Sequence, residues 1–370
     1  MALFYPHFNK CCFCIVGNIC LIKAAQCGCK SLRSCYAEML DKLLDVEEDA
    51  CVENVAIGPS TVTIFLKALK QFCGDVIDVR SDALTYESRI LYEVVLNSTN
   101  EVDSPETKPI IMIDAGQRAG SQSVMLALYV IEQLVACEEY EDMLEKVTWV
   151  ILPSTNPDGQ EYVRCKREPW NKNMFPLQEA LTFGVDISRN FVDSWSSCRS
   201  TENIFSSEYP GPAPASENET MFISSIIAKY KPNIKAYLSI RRDGHSILYP
   251  FASISSSPAS HVQTKAGEIA AKVNQRSGSL QWFSNMSIYE MNGKPWCGHS
   301  VDYAYNKHGI AYSFEMRVFP ESDNTIMSKF QSLPKGYDAS LRNGYFTGIR
   351  ELYNTVVSEK QRKQRRNLIK

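Results

Sequence analysis

The amino-acid sequence predicts an α/β fold: a single domain with a mixed, largely parallel sheet and helices on both faces. Strand-like and helix-like segments alternate along the chain, and the central strand-like segments are apolar throughout. Strands that are apolar on both faces are typical of parallel sheets covered by helices. A chain of 370 residues, 44% of them hydrophobic, is long enough to bury one large core.

The order of the elements supports this prediction in both halves of the chain. For the first half we predict helices at 36–50, 63–72 and 123–137, and strands at 76–80, 89–97, 109–116 and 147–152. For the second half we predict helices at 217–230, 260–278 and 344–359, and strands at 234–240, 246–251 and 309–319. Long helices between strands favour crossover connections and therefore parallel pairing.

The N-terminal segment differs in composition from the rest. Lys10 is followed by a short apolar run that reaches small residues at Ala24 and Ala25, which is typical of a secretory signal. Asn18 and Lys23 interrupt the run before the roughly 20 apolar residues that a membrane span needs. We expect 1–25 to be a cleaved signal rather than an anchor and the mature protein to be secreted.

The cysteine count agrees with export. Four of the 13 cysteines lie in the predicted signal, so nine remain, and an odd number leaves at least one thiol unpaired or bridged to a partner. A disulfide-linked partner is therefore open, and the pairing cannot be read from sequence. Glycosylation sequons begin at Asn97, Asn218 and Asn285.

The remaining boundaries follow from composition. We predict a Cys-rich leader at 26–60, the main domain at 61–359 and a basic tail at 360–370 that is solvated and disordered, with an anionic partner as the alternative. The net charge of -3 gives no field that attracts nucleic acid. We expect neither a nucleic-acid partner nor a membrane span.

Short motifs between 61 and 359 carry a family resemblance. They are LTYESR (84–89), TNPDG (155–159), WNKN (170–173), GVDISRN (184–190), EYPGPAPASENET (208–220), KAYLSI (235–240), LYP (248–250), IYEMNG (288–293) and YSFEMR (312–317). Their order and spacing resemble those of the zinc carboxypeptidase family of the A/B type. The resemblance implies a pocket where the free C-terminal carboxylate of a peptide is held beside a zinc-bound water. The zinc ligands it implies are two His and one Glu.

The three ligand positions hold other residues in this chain. The resemblance places Arg118 and Arg241 at the two His positions and Ser121 at the Glu position. A guanidinium offers only donors and keeps its positive charge, so it cannot bind zinc. We therefore expect no cofactor, and zinc only if the chain uses non-standard ligands.

The resemblance also implies substrate-binding residues. Ser188 and Arg189 match the pair that clamps the substrate carboxylate, and Asn171 matches the arginine that stabilises the oxyanion. Tyr289 matches the tyrosine that closes over substrate. Val301 matches the position that sets the family's preference for the side chain of the substrate's last residue. A small apolar residue there favours apolar C-terminal side chains.

Two registers are open for the catalytic carboxylate that the family uses as general base. One alignment of YSFEMR places Glu315 there, and the other places Arg317. Ser313, Glu315 and Arg317 alternate with apolar residues, so we expect them to share one face of the strand. Either side chain could then point into the pocket.

The charged residues of the site also have structural interpretations. Arg118 is expected to form a salt bridge with Asp186, and Arg241 to belong to a surface-rim cluster with Arg242 and Asp243. A replacement metal site built on His245 and His299 is the less favoured interpretation, because a third spaced ligand is missing.

Three functions are compatible with these residues. The favoured one is a secreted, catalytically inactive carboxypeptidase-like protein that binds the C-terminus of a peptide or protein. The second is an active metallocarboxypeptidase with non-standard ligands. The third is a structural or partner-bridging role, suggested by the odd cysteine and the basic tail.

Overall fold

A computed structural model describes eight stretches of the chain. They are residues 29–44, 57–98, 108–166, 169–177, 182–198, 203–278, 281–320 and 337–368. The predicted signal at 1–25 lies outside them, as do Cys27 and Cys51.

An eight-stranded mixed sheet forms the centre of the described fold. The strands of the described chain, including two that lie outside this sheet, are β1 (Ile77–Leu84), β2 (Ile90–Leu96), β3 (Ile110–Ala115), β4 (Thr148–Leu152), β5 (Pro176–Leu177), β6 (Thr182–Phe183), β7 (Ile234–Arg242), β8 (Ser246–Tyr249), β9 (Ser284–Ser287) and β10 (Tyr312–Val318). The sheet runs β1-β2-β4-β3-β7-β10-β8-β9, and β5 pairs only with β6. Four of the seven neighbouring pairs in the large sheet are parallel, including the three between β4, β3, β7 and β10. The predicted mixed, largely parallel sheet is confirmed.

Helices cover the sheet. They are α1 (Ser34–Leu44), α2 (Pro59–Phe72), α3 (Gln122–Ala136), α4 (Glu141–Lys146), α5 (Pro157–Lys166), α6 (Asn218–Tyr230), α7 (Ser260–Ser277), α8 (Ile288–Asn292), α9 (Ser300–Asp302) and α10 (Tyr337–Leu368). A π-helical turn, Tyr303–Lys307, follows α9, and a 3-10 turn, Ile187–Arg189, lies between β6 and α6. No helix in these stretches is long and apolar enough to cross a membrane.

Side-chain alternation explains why the central strands are apolar throughout. In β3, Ile111 and Ile113 enter the main core, which contains residues of α3, α7 and α10. Ile110 and Met112 enter a second core with the apolar residues of α6. Since each face is covered, both sets of side chains are apolar, and the prediction of helices on both faces is confirmed.

Disulfides tie the N-terminal part of the described chain to the domain. Cys29 pairs with Cys137 at the end of α3, and Cys35 of α1 pairs with Cys73 after α2. Tyr36, Met39 and Leu40 of α1 are buried in the main core. The described part of the predicted leader therefore packs on the domain that follows it.

The C-terminal tail differs from the prediction. We expected a disordered end from residue 360, but α10 continues to Leu368. Beyond Gly348 the chain contains neither Gly nor Pro. Lys, Arg and Gln are good helix formers, and basic residues near a helix C-terminus interact favourably with its dipole, so the helix has no reason to stop at residue 360.

Candidate functional site

The carboxyl ends of the parallel strands bring the predicted site residues to one edge of the sheet. Arg241 at the end of β7 pairs in register with Arg317 of β10. Phe314 and Met316 of β10 point into the main core, which leaves Glu315 and Arg317 on the opposite face. The expected shared face is confirmed, and the general-base assignment stays a prediction.

Four arginines surround one buried indole. Trp296 is 4% exposed, and the guanidinium carbon of Arg189 lies 4.1 Å from its ring centroid. The corresponding distances are 5.4 Å for Arg241, 5.5 Å for Arg118 and 5.8 Å for Arg317. We call these four residues and Trp296 the arginine cluster. Each cation is attracted to the ring, but the four charges repel one another.

Three carboxylates offset part of this charge. Arg189 Nε lies 3.3 Å from Asp186 Oδ2, and Arg189 Nη2 lies 3.1 Å from Glu208 Oε2. Glu315 bridges two arginines, with distances of 3.0 Å to Arg241 Nε and 2.6 Å to Arg317 Nε. In the part of the chain that the structure describes, Arg118 is the one arginine of the cluster without an ion pair.

Glu315 is fully buried and held as an anion. Burial alone raises the pKa of its carboxyl, but Arg241, Arg317 and His299 hold that pKa well below its ordinary value. The N–H of Val301 donates to His299 Nδ1 at 3.1 Å, so Nε2 carries the proton and donates to Glu315 Oε2 at 2.8 Å. Burial also lowers the pKa of His299 to about 4, which keeps the ring neutral at pH 7.

A polar network beneath the cluster fixes the position of Arg241. Gln117 accepts from Arg241 Nη2 at 3.1 Å and donates to Asp114 Oδ1 at 2.9 Å and to Ser300 Oγ at 3.0 Å. Burial raises the pKa of Asp114 to about 6, although hydrogen bonds from Tyr237 and other donors lower it. Arg241 thus lies between Gln117 and Glu315, with 1% of its surface exposed.

Among the described residues, two buried nitrogens of the cluster, Arg118 Nε and Arg241 Nη1, have neither a hydrogen bond nor an ion pair. Arg189 Nε and Nη2 and Arg241 Nε lie 3.0–3.3 Å from carboxylate oxygens without forming a hydrogen bond to them. A buried polar group without a partner costs about 1–3 kcal/mol, and more when it is charged. Such a set of donors has the chemistry of a site for an anion.

The residues present do not fit zinc. Arg118 and Arg241 are guanidinium groups that donate hydrogen bonds and cannot ligate a metal. Among the described residues, no group of three or more His, Cys, Asp or Glu is placed to hold a metal ion. Ser121 offers one hydroxyl, and one hydroxyl does not make a ligand set.

The structure places two of the predicted substrate-binding residues in polar contacts. Ser188 is buried, and its hydroxyl donates to Asp186 Oδ1 at 2.6 Å. Asn171 Oδ1 accepts from Arg242 Nη2 at 3.0 Å, so the amide nitrogen of Asn171 is the half of the group that can donate to a ligand. Their roles in binding stay predictions.

Tyr289 and Val301 lie in two short helices, α8 and α9. Tyr289 is half-buried in α8. A capping box formed by Ser287 and Glu290 stabilises the N-terminus of this helix. Asn292 at the end of α8 accepts from Arg317 Nη2 at 3.0 Å, which connects this helix to the cluster. Val301 in α9 is fully buried.

One predicted ion pair is wrong. Asp186 pairs with Arg189 and not with Arg118. The 3-10 turn Ile187–Arg189 follows Asp186 directly and brings the guanidinium of Arg189 back to the carboxylate of Asp186. Arg118 lies in a distant loop, and this turn does not position it. Arg241 is buried, so its assignment to a surface rim is also wrong.

His245 and His299 occupy different environments. The ring of His245 packs against Phe283 and Tyr345, with centroid distances of 4.9 and 5.6 Å, and its Nδ1 is 2.8 Å from Tyr345 Oη. His299 contacts Glu315 and the edge of Trp296. The described residues around neither histidine form a metal site.

Sequence reasoning missed Trp296, which orients the cluster. Its Nε1 donates to the backbone oxygen of Ser188 at 3.2 Å, and Cys297 beside it is bonded to Cys198. A tryptophan next to a cysteine, between the IYEMNG and YSFEMR motifs, was the available signal. Glu208, at the start of the EYPGPAPASENET motif, was missed as well.

Comparison with known proteins gives a single family. A family model described as zinc carboxypeptidase matches residues 62–340. The chain is similar to zinc carboxypeptidase A 1 of Drosophila melanogaster, with 30% identity over 71% of this chain and 61% of that protein. It is also similar to carboxypeptidase B of Helicoverpa zea, with 29% identity over 65% of this chain and 58% of that protein. The chain thus spans about three fifths of the length of these relatives.

Solved structures give the same fold. Bovine thrombin-activatable fibrinolysis inhibitor, solved in complex with a tick carboxypeptidase inhibitor, has a TM-score of 0.72 and 21% identity, covering 82% of this chain and 98% of that one. Carboxypeptidase A from Helicoverpa armigera has a TM-score of 0.71 and 21% identity, covering 86% and 81%. These likenesses show the fold.

Proposed function

Because the chain belongs to the zinc carboxypeptidase family, we propose that it binds the free carboxyl terminus of a peptide or protein without hydrolysing it. The family and the carboxypeptidase-like fold are shown by the comparisons. Binding of a chain end and loss of hydrolysis are the two parts of the proposal.

The observation that carries the binding is the excess of guanidinium groups around Trp296, in which Arg118 Nε and Arg241 Nη1 have neither a hydrogen bond nor an ion pair among the described residues. Arg189, which the family resemblance assigns to the substrate carboxylate, lies over Trp296, and its Nε and Nη2 contact carboxylates without forming hydrogen bonds to them. A carboxylate accepts two hydrogen bonds from one guanidinium in a planar arrangement. A bound carboxylate would add negative charge to a cluster of four arginines and three carboxylates.

The proposed loss of hydrolysis follows from the chemistry at the former ligand positions. Arg118 and Arg241 carry positive charge where the family keeps neutral and acidic ligands, and Glu315 is neutralised by two arginines. A carboxylate with a pKa held well below its ordinary value is a weak base. Neither a metal-bound water nor an effective general base is then supplied.

Partners and location follow from the same fold. We expect a partner with an accessible C-terminus, and the bovine relative solved with a carboxypeptidase inhibitor supports a protein partner. The three disulfides among the described residues are consistent with an oxidising, extracellular compartment. Cys165, an exposed free thiol of α5, leaves a disulfide-linked or bridging role open.

The alternative function is hydrolysis with non-standard ligands. It is favoured by the family membership alone, and it requires metal ligands other than Arg118, Ser121 and Arg241. The experiments below separate the two.

Binding is tested with a fluorescein-labelled decapeptide that ends in Leu, either as the free acid or as the amide. We expect anisotropy titrations to give an affinity at least tenfold higher for the free acid, because a charge-assisted hydrogen bond contributes about 1.5–3 kcal/mol. An Arg189→Gln change should remove this difference, whereas Arg276→Gln on the exposed face of α7 should keep it. Equal affinities for acid and amide would contradict the proposal.

Hydrolysis is tested on the same free-acid peptide. We expect mass spectrometry to show intact peptide after prolonged incubation with added zinc, and elemental analysis to show substoichiometric zinc in the protein. Stoichiometric zinc together with release of Leu would establish the alternative.

A further inference from the structure

Three arginines of the cluster come from two separate parts of the fold. Arg189 is the last residue of the 3-10 turn after β6 and pairs with Asp186 and Glu208. Arg118 follows β3 and Arg241 lies near the end of β7, so these two come from the central strands of the sheet. A carboxylate bound at Arg189 leaves Arg118 Nε and Arg241 Nη1 without an acceptor among the described residues.

Arg241 cannot turn away to find an acceptor in solvent. Its Nη2 is held by Gln117, its Nε lies 3.0 Å from Glu315, and the residue is 1% exposed. Nη1 is the remaining nitrogen, and it has no hydrogen-bond partner in the described chain. A buried donor on a side chain fixed at two other atoms indicates a ligand atom at that place.

Arg118 adds a second donor beside it. Its Nε is buried and has no hydrogen-bond partner in the stretches that the structure describes, and its guanidinium lies over the same indole as that of Arg241. Burial lowers the pKa of Arg241, and the nearby charges of Arg317 and Arg118 lower it further, whereas Glu315 and Asp186 raise it. The cations around Arg241 thus repel one another, and an added negative charge would relieve that repulsion.

We propose that the chain end bound here terminates in aspartate or glutamate, whose side-chain carboxylate accepts hydrogen bonds from Arg118 and Arg241 while its terminal carboxylate is held by Arg189. This inference rests on the proposed function, because it takes a bound carboxyl terminus as given. It names the last residue of the ligand. An acidic last residue also differs from the apolar last residue that the match at Val301 predicts. Val301 itself is fully buried.

The test uses four labelled peptides that differ only at the last residue. They end in Glu, in Gln, in Glu amide and in Gln amide. We expect the Glu free acid to bind at least tenfold more tightly than the Gln free acid, and both to bind more tightly than their amides. Anisotropy at fixed ionic strength measures all four affinities.

Two variants separate the donor groups. Arg118→Gln should reduce the Glu-to-Gln ratio to about one. Arg118 has no ion pair in the described structure, so its loss strands no carboxylate. Arg189→Gln should weaken both free acids, and Arg276→Gln should weaken neither.

The outcomes distinguish the inference from the proposed function. Equal binding of Glu and Gln free acids, both above the amides, would overturn the acidic-residue inference and keep the proposed function. Equal binding of acids and amides would overturn both. Inorganic phosphate is a further competitor. If phosphate displaces the bound Glu peptide as readily as the free-acid Gln peptide displaces it, the site is a simple anion site, and the inference is overturned.

Discussion

Arg241 carries a permanent charge in a place where almost none of its surface reaches solvent. Glu315 forms an ion pair with Arg241 and another with Arg317. One buried carboxylate is therefore paired with one buried guanidinium, that of Arg241, and one half-buried guanidinium, that of Arg317. Breaking a buried ion pair from one side costs about 3–5 kcal/mol, because the remaining charge is left uncompensated. The stability of this part of the site therefore depends on Glu315.

A Glu315→Gln change tests that dependence. The amide keeps the shape of the side chain but removes the negative charge, so we expect the free energy of unfolding to fall by about 3–5 kcal/mol. The matched control is Glu87→Gln, which removes one of the two carboxylates that pair with Arg89, at an exposed position, and should cost no more than about 1 kcal/mol. Urea denaturation measures both, and equal midpoints for the two variants would show that Glu315 does not hold the arginines.

At the level of elements, α7 and α10 approach each other through glycine. A Cβ on Gly344 of α10 would lie 2.6 Å from Ser277 Cβ and 2.9 Å from Ser277 Cα. A Cβ on Gly348, one helical turn later, would lie 2.7 Å from Val273 Cγ2. Both distances are shorter than atoms tolerate, so the two helices can be this close only because both residues lack a side chain.

The same Gly-to-Ala change should have opposite effects at two places in this helix pair. Gly344→Ala should destabilise the protein by about 1–3 kcal/mol, because the new methyl group meets the backbone of Ser277. Gly267→Ala in α7 should stabilise it by up to about 1 kcal/mol, because the nearest atom is 3.8 Å away and Ala is the better helix former. Thermal unfolding compares the two variants with the wild type. Stabilisation by both would mean that α10 does not pack as described.

For the whole molecule, the fold could be predicted further than the site. The apolar runs of β3, β4 and β7 indicated strands covered on both faces, because that burial leaves a direct mark on composition. The sequence does not show which arginine pairs with Asp186, because both Arg118 and Arg189 are candidates and the ion pair to Arg189 leaves no trace in composition. Only the three-dimensional path of the 3-10 turn selects between them.

The tail and the tryptophan show two further limits. Residues from 360 onwards were predicted to be disordered because of their charge, but charge does not prevent a helix that is already nucleated from continuing. Trp296 was missed because its role depends on four arginines from four different segments. Long-range convergence of this kind cannot be read from local pattern.

The proposed site also predicts what holds the whole molecule together. Hydrogen bonds and ion pairs of Gln117, Arg241 and Glu315 stabilise the site without a metal ligand set among the described residues, so we expect a chelator to leave the melting temperature unchanged. A reductant should lower it by several degrees, because the Cys29–Cys137 bond alone links residues 108 positions apart and loss of such a bond typically costs about 2–5 kcal/mol. Differential scanning calorimetry with EDTA or with dithiothreitol measures the two effects, and Cys165→Ser controls for the free thiol. A melting temperature that falls with EDTA and not with dithiothreitol would mean that a metal, and not the arginine network, stabilises this edge of the sheet.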